Sequence, residues 1–185
     1  MNIINGWLDQ AIVCPSPNFN QRPDNVEISL LVIHNISLPP GQFGGGFIQQ
    51  FFQNRLDETQ HSYFETIADL QVSSHLLIDR QGEITQFVSF DDRAWHAGQS
   101  SYEAIENCND YSIGIELEGT DDLPYSEYQY QTLAKVTRQL LANYPTLTPD
   151  RIAGHDQIAP GRKTDPGHAF DWVYYRSLIK ESDSL

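Results

Sequence analysis

Cysteine is scarce in this sequence, and long hydrophobic runs are absent from it. The chain of 185 residues contains two cysteines, Cys14 and Cys108, which are too few for a framework of disulfide bonds. A single bond between them stays open, although two free thiols in a reducing compartment is the simpler interpretation. No stretch approaches the ~20 consecutive apolar residues that a membrane-spanning helix needs. The sequence therefore predicts neither a disulfide-stabilised scaffold nor a membrane-spanning protein.

Positive charge is in short supply as well. Lys and Arg total 11 against 25 Asp and Glu, so the formal net charge is -14 at pH 7. Such an acidic surface repels phosphate backbones and anionic lipid headgroups. The first residues, MNIINGWLD, have neither the basic start nor the apolar stretch of a secretory signal. We therefore expect a cytoplasmic protein that binds neither nucleic acid nor membranes.

Linkers, repeats and low-complexity tracts are also missing. Hydrophobic residues make up 39% of the chain, which is enough for a packed core. A length of 185 residues suits one domain with a sizeable interior. We predict a single, monomeric domain over residues 1–185. In it, residues 1–25 form an extended segment that wraps around the surface, because this part is polar and carries Pro15, Pro17 and Pro23.

The hydrophobic pattern predicts an α/β (α+β) fold. Residues 28–33 are a nearly continuous apolar run, typical of a strand buried on both faces, and the run ends at His34. Residues 112–118 alternate with the period of a strand. Other patterns predict strands at 72–78 and 83–88 joined by a turn at 79–82, helices at 47–52, 126–144 and 172–179, and a long loop at 57–69. Together they predict a mixed central β-sheet flanked by helices.

Two histidines and one aspartate are candidate metal ligands. His34 ends the apolar strand, His155 follows a short apolar segment and a glycine, and Asp165 lies in a turn ten residues later. Two imidazoles and one carboxylate that leave a fourth position open are typical of catalytic zinc sites, whereas magnesium and calcium prefer oxygen ligands. The alternative is that all three are ordinary hydrogen-bonded residues, since no compact metal motif connects them.

Glu116 is the candidate general base. It lies in the middle of the alternating strand, on the face opposite the apolar residues, and a carboxylate buried there is costly unless it is paired or bound. A base that takes a proton from an attacking water would explain it. An ion pair with a neighbouring cation is the alternative. We expect Glu118, two residues further along, to be solvated; the alternative is that it too faces the site.

Lys163 is the candidate electrostatic partner. In an extended segment it projects to the same side as Asp165. A cation next to a metal ligand suits stabilisation of the negative oxygen that forms when water attacks an amide carbonyl. The alternative is a surface loop whose charges face water.

Other reactive side chains give weaker signals. His75 lies in an apolar strand pattern and is expected to be a buried structural residue, while His61 and His168 receive no role. Neither a serine nor Cys108 has a positioned base, which disfavours a serine or cysteine hydrolase. The glycines at 44–46 lack the Lys and Ser or Thr of a phosphate-binding loop, so a nucleotide site is disfavoured too.

Four segments, taken together and in order, resemble a known enzyme family. They read VIHN at 32–35, RAWHAG at 93–98, NDYSIGIELEGT at 109–120 and RKTDPG at 162–167. They resemble the AmpD-type 1,6-anhydro-N-acetylmuramyl-L-alanine amidases, which are part of the wider family of type 2 N-acetylmuramoyl-L-alanine amidases and peptidoglycan-recognition proteins. The resemblance implies a zinc ion (Zn²⁺) held by His34, His155 and Asp165, with Glu116 and Lys163 as the catalytic pair.

The resemblance also implies the substrate. It predicts hydrolysis of the amide between the lactyl group of 1,6-anhydro-N-acetylmuramic acid and L-alanine, in peptidoglycan fragments recovered during cell-wall recycling. Residues expected to bind these anhydromuramyl peptides are Asn35, Tyr63, Trp95, His96, Ala97 and Arg162. Gln71 and Asn107 depart from the family, which has basic residues there to hold peptide carboxylates. His168 replaces a residue that is usually small or proline.

Two rival functions stay open at this stage. A non-catalytic peptidoglycan-binding protein would have lost the third ligand, whereas Asp165 is present. An exported amidase that acts on intact murein would need a signal sequence. Both are therefore disfavoured against the recycling amidase.

Overall fold

The computed structural model describes residues 1–180. Its strands are β1 (Ile3–Ile4), β2 (Trp7–Leu8), β3 (Ile12–Val13), β4 (Phe19–Gln21), β5 (Leu30–Ile36), β6 (Leu76–Ile78), β7 (Ile84–Gln86), β8 (Asp92–Ala94), β9 (Ser101–Tyr102), β10 (Ile105–Glu106), β11 (Ser112–Glu118) and β12 (Ile152–Gly154). Its helices are α1 (Phe47–Phe52), α2 (Ser62–Glu65), α3 (Glu127–Asn143), α4 (His155–Ile158) and α5 (Trp172–Lys180). Short 3-10 turns occupy Glu58–Gln60 and Cys108–Asp110.

Six strands form the central sheet, in the order β12-β5-β11-β6-β7-β3. The four from β12 to β6 are parallel, β7 is antiparallel to β6, and β3 is parallel to β7. The predicted hairpin turn joins β6 to β7, and the Gly82 N–H donates to the Asp79 carbonyl within it. The prediction of a mixed sheet flanked by helices is confirmed.

One face of the sheet packs against α3 and α5. Ile113 and Ile115 of β11 share an apolar cluster with Leu133 of α3 and Tyr175 of α5. The helix α3 begins where the sequence predicts, because the Ser126 side chain accepts from the N–H of the third helical residue in a reciprocal capping box. This face therefore forms the main core of the protein.

The opposite face of the sheet is left to polar and small side chains at its centre. Successive side chains of a strand point to opposite faces, so Glu116 lies on the face away from Ile115. In the parallel register of β5 and β11, Glu116 is paired with His34, and Gly154 at the end of β12 is paired with Ile33. Three neighbouring strands thus bring their polar groups to one place, near their carboxyl ends.

Several predicted boundaries differ from the structure. The strand β5 continues two residues past His34, and β6 begins at Leu76, so residues 72–75 lie outside it. The predicted loop at 57–69 contains a 3-10 turn and α2, because Asp57 and His61 cap these turns with their side chains. Residues 1–25 contribute four short strands, of which β3 joins the edge of the central sheet. The single-domain and surface-wrapping interpretations stay predictions.

Glu118 corrects one expectation of the sequence. Its side chain is buried at 4% exposure, where solvation was expected. The carboxylate accepts hydrogen bonds from the backbone N–H groups of Gly44 (2.6 Å) and Arg80 (3.3 Å), which satisfy its charge away from water. Glu118 therefore ties two loops to the end of β11.

The structure bears on the two cysteines and on the search for a membrane-spanning helix. Cys14 and Cys108 are both free, in line with the simpler interpretation of the two cysteines. Among residues 1–180, no helix has the length and apolar character needed to cross a lipid bilayer.

Candidate active site

Three side chains converge near the carboxyl ends of β5 and β12. The Nδ1 atoms of His34 and His155 lie 2.9 Å apart, and Oδ2 of Asp165 lies 3.1 Å from the first and 3.0 Å from the second. Both imidazoles are buried, and Asp165 is 14% exposed at its side chain. The structure thus brings together the three side chains that the sequence predicts as candidate metal ligands.

Backbone connections explain how residues far apart in sequence meet here. His155 is the first residue of α4, directly after β12, and β12 lies next to β5, which carries His34. The segment with Asp165 returns to the same place, because the Asp156 N–H donates to the Asp165 carbonyl at 2.9 Å. Hydrogen bonds of the sheet and one loop contact therefore position all three groups.

The tautomer of His155 is set by its other ring nitrogen. Nε2 lies 3.1 Å from the Ala97 carbonyl oxygen, and a carbonyl can only accept, so Nε2 carries the proton. Nδ1 is then left with a lone pair directed at His34 and Asp165. Metal-bound histidines commonly donate their other N–H to a carbonyl or carboxylate in this way.

The charges of this cluster are those of a cation site. Burial, together with the neighbouring His155, lowers the pKa of His34 to about 4, so the imidazole of His34 is neutral near pH 7. Burial alone would raise the pKa of Asp165, but the adjacent imidazoles of His155 and His34 outweigh it and hold that pKa below its usual range. The cluster thus combines an anionic carboxylate with neutral imidazole, the protonation states in which these groups bind metals.

The donor atoms fit a zinc ion. A tetrahedral zinc with bonds of about 2.0–2.1 Å keeps its ligand atoms about 3.3–3.4 Å apart, and the observed separations of 2.9 to 3.1 Å are close to this. Two imidazole nitrogens and one carboxylate oxygen are also a donor set that zinc accepts readily. Within residues 1–180, this is the one group of three such side chains close enough to share a metal.

Glu116 lines the same cavity as this cluster. The residue is 8% exposed, and its buried Oε2 has no hydrogen-bond partner among the described residues. Burial raises the pKa of Glu116 well above its usual value, the charge of Asp165 raises it further, and Lys163 acts in the opposite direction. A carboxyl with a raised pKa and an open oxygen is suited to moving a proton.

Lys163 differs from the other members of the site because it is exposed. It follows α4, and its backbone N–H donates to the Ala159 carbonyl at 3.1 Å. Its side chain lines the same cavity as Glu116 and Asp165. An ammonium group at the mouth of the cavity stays in contact with water until the substrate binds. It can then approach a substrate oxygen.

A cavity of about 350 Å³ opens over these groups. One end holds the polar cluster, and an apolar wall extends from it under α1 and α2. The apolar wall is formed by Leu38, Phe51, Phe52, Ile67, Leu70 and Val72. Sequence patterns did not single out this wall, because its residues come from three separate segments.

Four of the six predicted substrate-binding residues line this cavity, namely Asn35, Tyr63, Trp95 and His96. The indole N–H of Trp95 donates to Asn20 at 2.7 Å, which holds the ring at the rim. Asn35 donates to Asp121 at 2.8 Å and to the Pro166 carbonyl at 3.1 Å, so its amide nitrogen is already engaged.

Ala97 and Arg162 lie outside the lining of this cavity. Ala97 is fully buried, and its carbonyl accepts from both His155 and Arg162, at 3.1 Å and 2.6 Å. Arg162 and Asn107 instead line a neighbouring depression. Gln71 is exposed, whereas its neighbours Leu70 and Val72 are part of the apolar wall.

His75 has the structural character that the sequence predicts. It is fully buried, its Nδ1 accepts from the Gly114 N–H at 3.0 Å, and its Nε2 lies 3.1 Å from the Asp92 carbonyl. The two unassigned histidines are peripheral: His61 caps α2, and His168 is exposed near Asp122.

Sequence reasoning missed the residues that support the ligands. Ser112 and Asn109 are buried and hydrogen-bond to residues 96 and 97, and Gly114 leaves room for the His96 ring. One signal was present, because the alternation of β11 places Ser112 and Gly114 on the face of Glu116. No pattern in the sequence indicates that His96 would meet them.

Comparison with known proteins agrees with this geometry. Residues 24–168 match the model of the family described as N-acetylmuramoyl-L-alanine amidase. The chain is 58% identical over 174 residues to the 1,6-anhydro-N-acetylmuramyl-L-alanine amidase AmpD of Salmonella typhimurium, covering 94% of this chain and 92% of that protein.

Solved structures give the same result. A crystal structure of a selenomethionine derivative of AmpD superposes with a TM-score of 0.94 at 55% identity, covering 97% of this chain and 99% of that one. The amidase AmiD of E. coli, in complex with the substrate anhydro-N-acetylmuramic acid-L-Ala-D-gamma-Glu-L-Lys, superposes with a TM-score of 0.60 at 29% identity. That match covers 85% of this chain and 60% of the AmiD chain.

Proposed function

The chain belongs to the N-acetylmuramoyl-L-alanine amidase family, and we propose that it is a zinc-dependent member acting on 1,6-anhydro-N-acetylmuramyl peptides. It is an amidase, and we infer that it acts in peptidoglycan recycling, which the anhydromuramyl substrate in the names of its relatives supports. The bond to be cut is the amide between the lactyl group of the anhydro sugar and L-alanine. The names of the AmpD relatives and the ligand bound to AmiD support this substrate.

The convergence of three donor atoms is the observation that carries the zinc proposal. His34, His155 and Asp165 would hold the ion, since their donor atoms lie within 3.1 Å of one another. Zinc bound there would polarise the amide carbonyl and would lower the pKa of a bound water toward about 7.

Proton transfer is assigned to Glu116. Its unpartnered Oε2 takes a proton from the attacking water as the oxygen bonds to the amide carbon. The same carboxyl then gives that proton to the departing nitrogen of L-alanine, and the carbon–nitrogen bond breaks. The carboxylate is regenerated, and the products are the free lactyl carboxylic acid and the peptide amine.

Lys163 stabilises the charge that builds on the carbonyl oxygen during attack. Its ammonium group can donate a hydrogen bond to that oxygen from the cavity mouth. Asn35, Tyr63, Trp95 and His96 would hold the substrate against the cavity, while Ala97 and Arg162 would act from the adjoining segment. Carboxylates of the stem peptide would be held less strongly at Gln71 and Asn107, which carry no charge.

Product analysis tests the reaction. Protein with one equivalent of zinc is incubated with 1,6-anhydro-N-acetylmuramyl-L-alanyl tripeptide, and the products are identified by mass spectrometry. We expect free 1,6-anhydro-N-acetylmuramic acid and a tripeptide with a new amino terminus at L-alanine. An unchanged substrate that nonetheless binds would favour the non-catalytic rival, and faster cleavage of intact sacculi than of this fragment would favour the murein-degrading rival.

A cytoplasmic location and a monomeric state belong to the same proposal. Cell-wall fragments taken up for recycling would meet the enzyme there. Fractionation of the native host and sedimentation of the purified protein test the two statements separately.

A further inference from the structure

We propose that His96 is a positioning residue of the metal centre, which fixes the tautomer of His34 and is itself fixed by Ser112. This inference rests on the proposed zinc site and deepens it. It gives His96 a role other than the substrate binding that the family resemblance implies.

The chain of hydrogen bonds starts at Ser112. Its hydroxyl donates to the Cys108 carbonyl at 2.5 Å, and a hydroxyl has a single proton to give. Nε2 of His96 lies 3.1 Å from the same hydroxyl oxygen. Because the serine proton is already engaged, Ser112 accepts here and His96 Nε2 is the donor.

The second step carries this assignment to the metal ligand. With its proton on Nε2, His96 presents a lone pair at Nδ1, which lies 2.9 Å from Nε2 of His34. His34 must then donate from Nε2, so its own Nδ1 keeps the lone pair that faces His155 and Asp165. The wrong tautomer of His34 would place a proton where the metal must bind.

Because these residues are buried, the hydrogen bonds from Ser112 through His96 determine the tautomer of His34. Ser112 is completely buried, His34 is 1% exposed and His96 is 9% exposed. Water therefore has little access to replace either hydrogen bond. An unmade hydrogen bond in such a place costs about 1–3 kcal/mol, which is enough to change the population of a tautomer.

The position of the His96 ring is built into β11 and its neighbouring loop. A Cβ at Gly114 would lie 2.4 Å from Cγ and 2.5 Å from Nδ1 of His96, so only glycine lets the ring lie against the strand. Oδ1 of Asn109 accepts from the backbone N–H groups of both His96 (3.1 Å) and Ala97 (2.8 Å). One asparagine thus holds the segment that orients His34 through a side chain and His155 through a carbonyl.

A substrate contact alone does not explain these features. Both ring nitrogens of His96 are engaged within the protein, so the ring has no polar atom left for a ligand. Its exposed edge can contribute only an apolar surface to the cavity.

Two substitutions at His96 separate the hydrogen bond from the volume of the ring. In His96→Asn, Oδ1 occupies the place of Nδ1 and can still accept from His34, whereas His96→Leu has similar bulk and no acceptor. The dissociation constant for zinc is measured by chelator competition for the native protein and both variants. The Co²⁺-loaded forms are compared by visible absorption.

We expect His96→Leu to bind zinc about 10- to 100-fold more weakly than the native protein and His96→Asn to stay within about 3-fold. The cobalt spectrum should change in the leucine variant alone. Equal affinity in all three proteins would overturn the inference, and so would an equal loss in both variants, because the acceptor would then be irrelevant.

Ser112→Ala provides a second measurement should the leucine variant fail to fold. It removes the group that fixes His96 and leaves every ligand in place, so we expect zinc affinity to fall by about tenfold. If Ser112→Ala bound zinc with the dissociation constant of the native protein, Ser112 would not fix the tautomers of His96 and His34, and the inference would be contradicted. If the native protein itself bound no zinc, the proposed function would fail instead, so the two failures are distinguishable.

Discussion

Glu116 and Glu118 show how two identical side chains, two residues apart on one strand, acquire different roles. Both are buried, yet Glu118 accepts two backbone N–H groups while Oε2 of Glu116 has no partner among the described residues. A satisfied carboxylate stabilises the fold, and an unsatisfied one beside the proposed metal site is available for proton transfer. At the residue scale, hydrogen bonding therefore decides function where residue type does not.

The variant Glu116→Gln should lose activity while keeping the metal. The amide is similar in shape but cannot accept the proton of water, so we expect kcat to fall about 10²- to 10⁴-fold. Zinc content, measured by atomic emission, should equal that of the native protein. Glu118→Gln is the matched control and should keep kcat within about 3-fold; near-native turnover of Glu116→Gln would remove Glu116 from its assigned role.

Lys163→Met should reduce kcat with little change in KM. The loss of one donor to a developing oxyanion costs about 10²- to 10³-fold in hydrolases, because the interaction strengthens in the transition state. Lys163→Arg keeps the charge and should recover part of the rate. A variant that raised KM alone, with native kcat, would show that Lys163 only binds the substrate.

At the scale of elements, β11 organises most of the site. Ser112, Gly114 and Glu116 share one face of it, and its register with β5 places Glu116 next to His34. The alternation in the sequence predicted this face and the opposite apolar one. It could not predict that Glu118 is buried, because the groups that cover it, the N–H of Gly44 and that of Arg80, come from loops distant in sequence.

Glu118→Ala should weaken the fold without abolishing catalysis. Two partly buried hydrogen bonds to the backbone N–H groups of Gly44 and Arg80 would be lost, and we expect a loss of about 1–3 kcal/mol in the free energy of unfolding. Urea denaturation monitored by circular dichroism measures this loss. Glu83→Ala, at an exposed position, should stay within about 0.5 kcal/mol of the native protein. Equal stability of both variants would mean that the Glu118 hydrogen bonds contribute nothing.

The short elements were harder to predict than the long ones. The capping box and apolar stripe of α3 are local features, so its limits could be read from the sequence. The turns within 57–69 depend on caps by Asp57 and His61, side chains that have many other uses in proteins. The residues that they cap are only two positions away, so the difficulty is that such side chains are too common in sequences to indicate a turn by themselves.

At the scale of the whole molecule, the site exists because the parallel sheet collects residues from distant parts of the chain. His34 and Asp165 are 131 residues apart in sequence, and their side chains meet at 3.1 Å. The sequence indicated each candidate ligand separately, from its position at a strand end or in a turn. Their union, and the identity of the bond to be cut, came from the family resemblance, because spacing along the chain does not encode which ends of a sheet coincide.

Acid should destabilise the metal-free protein, partly through His75. Burial, together with the nearby charge of Arg22, lowers the pKa of His75 to about 3. An unfolded histidine titrates near pH 6.5, so below that pH the unfolded chain takes up a proton that the folded chain does not. The contribution to stability is constant above about pH 6.5 and is lost as the pH falls toward 3.

His75→Asn tests this origin of the acid sensitivity. The asparagine Oδ1 can accept from Gly114 as Nδ1 does, and it has no charge at any pH. With a chelator present throughout, the stability advantage of the native protein over the variant should shrink by about 2 kcal/mol between pH 7 and pH 5. A difference that stays constant across these pH values would contradict a neutral, buried His75.

Metal dependence is the centre of the account, and one titration tests it most directly. Protein stripped with a chelator and then freed of it receives increasing zinc, while release of the peptide from 1,6-anhydro-N-acetylmuramyl-L-alanyl tripeptide is followed. We predict no turnover without zinc and a linear rise that stops at one zinc per chain, with Asp165→Ala inactive at the same additions. Full activity in the stripped protein would contradict the account.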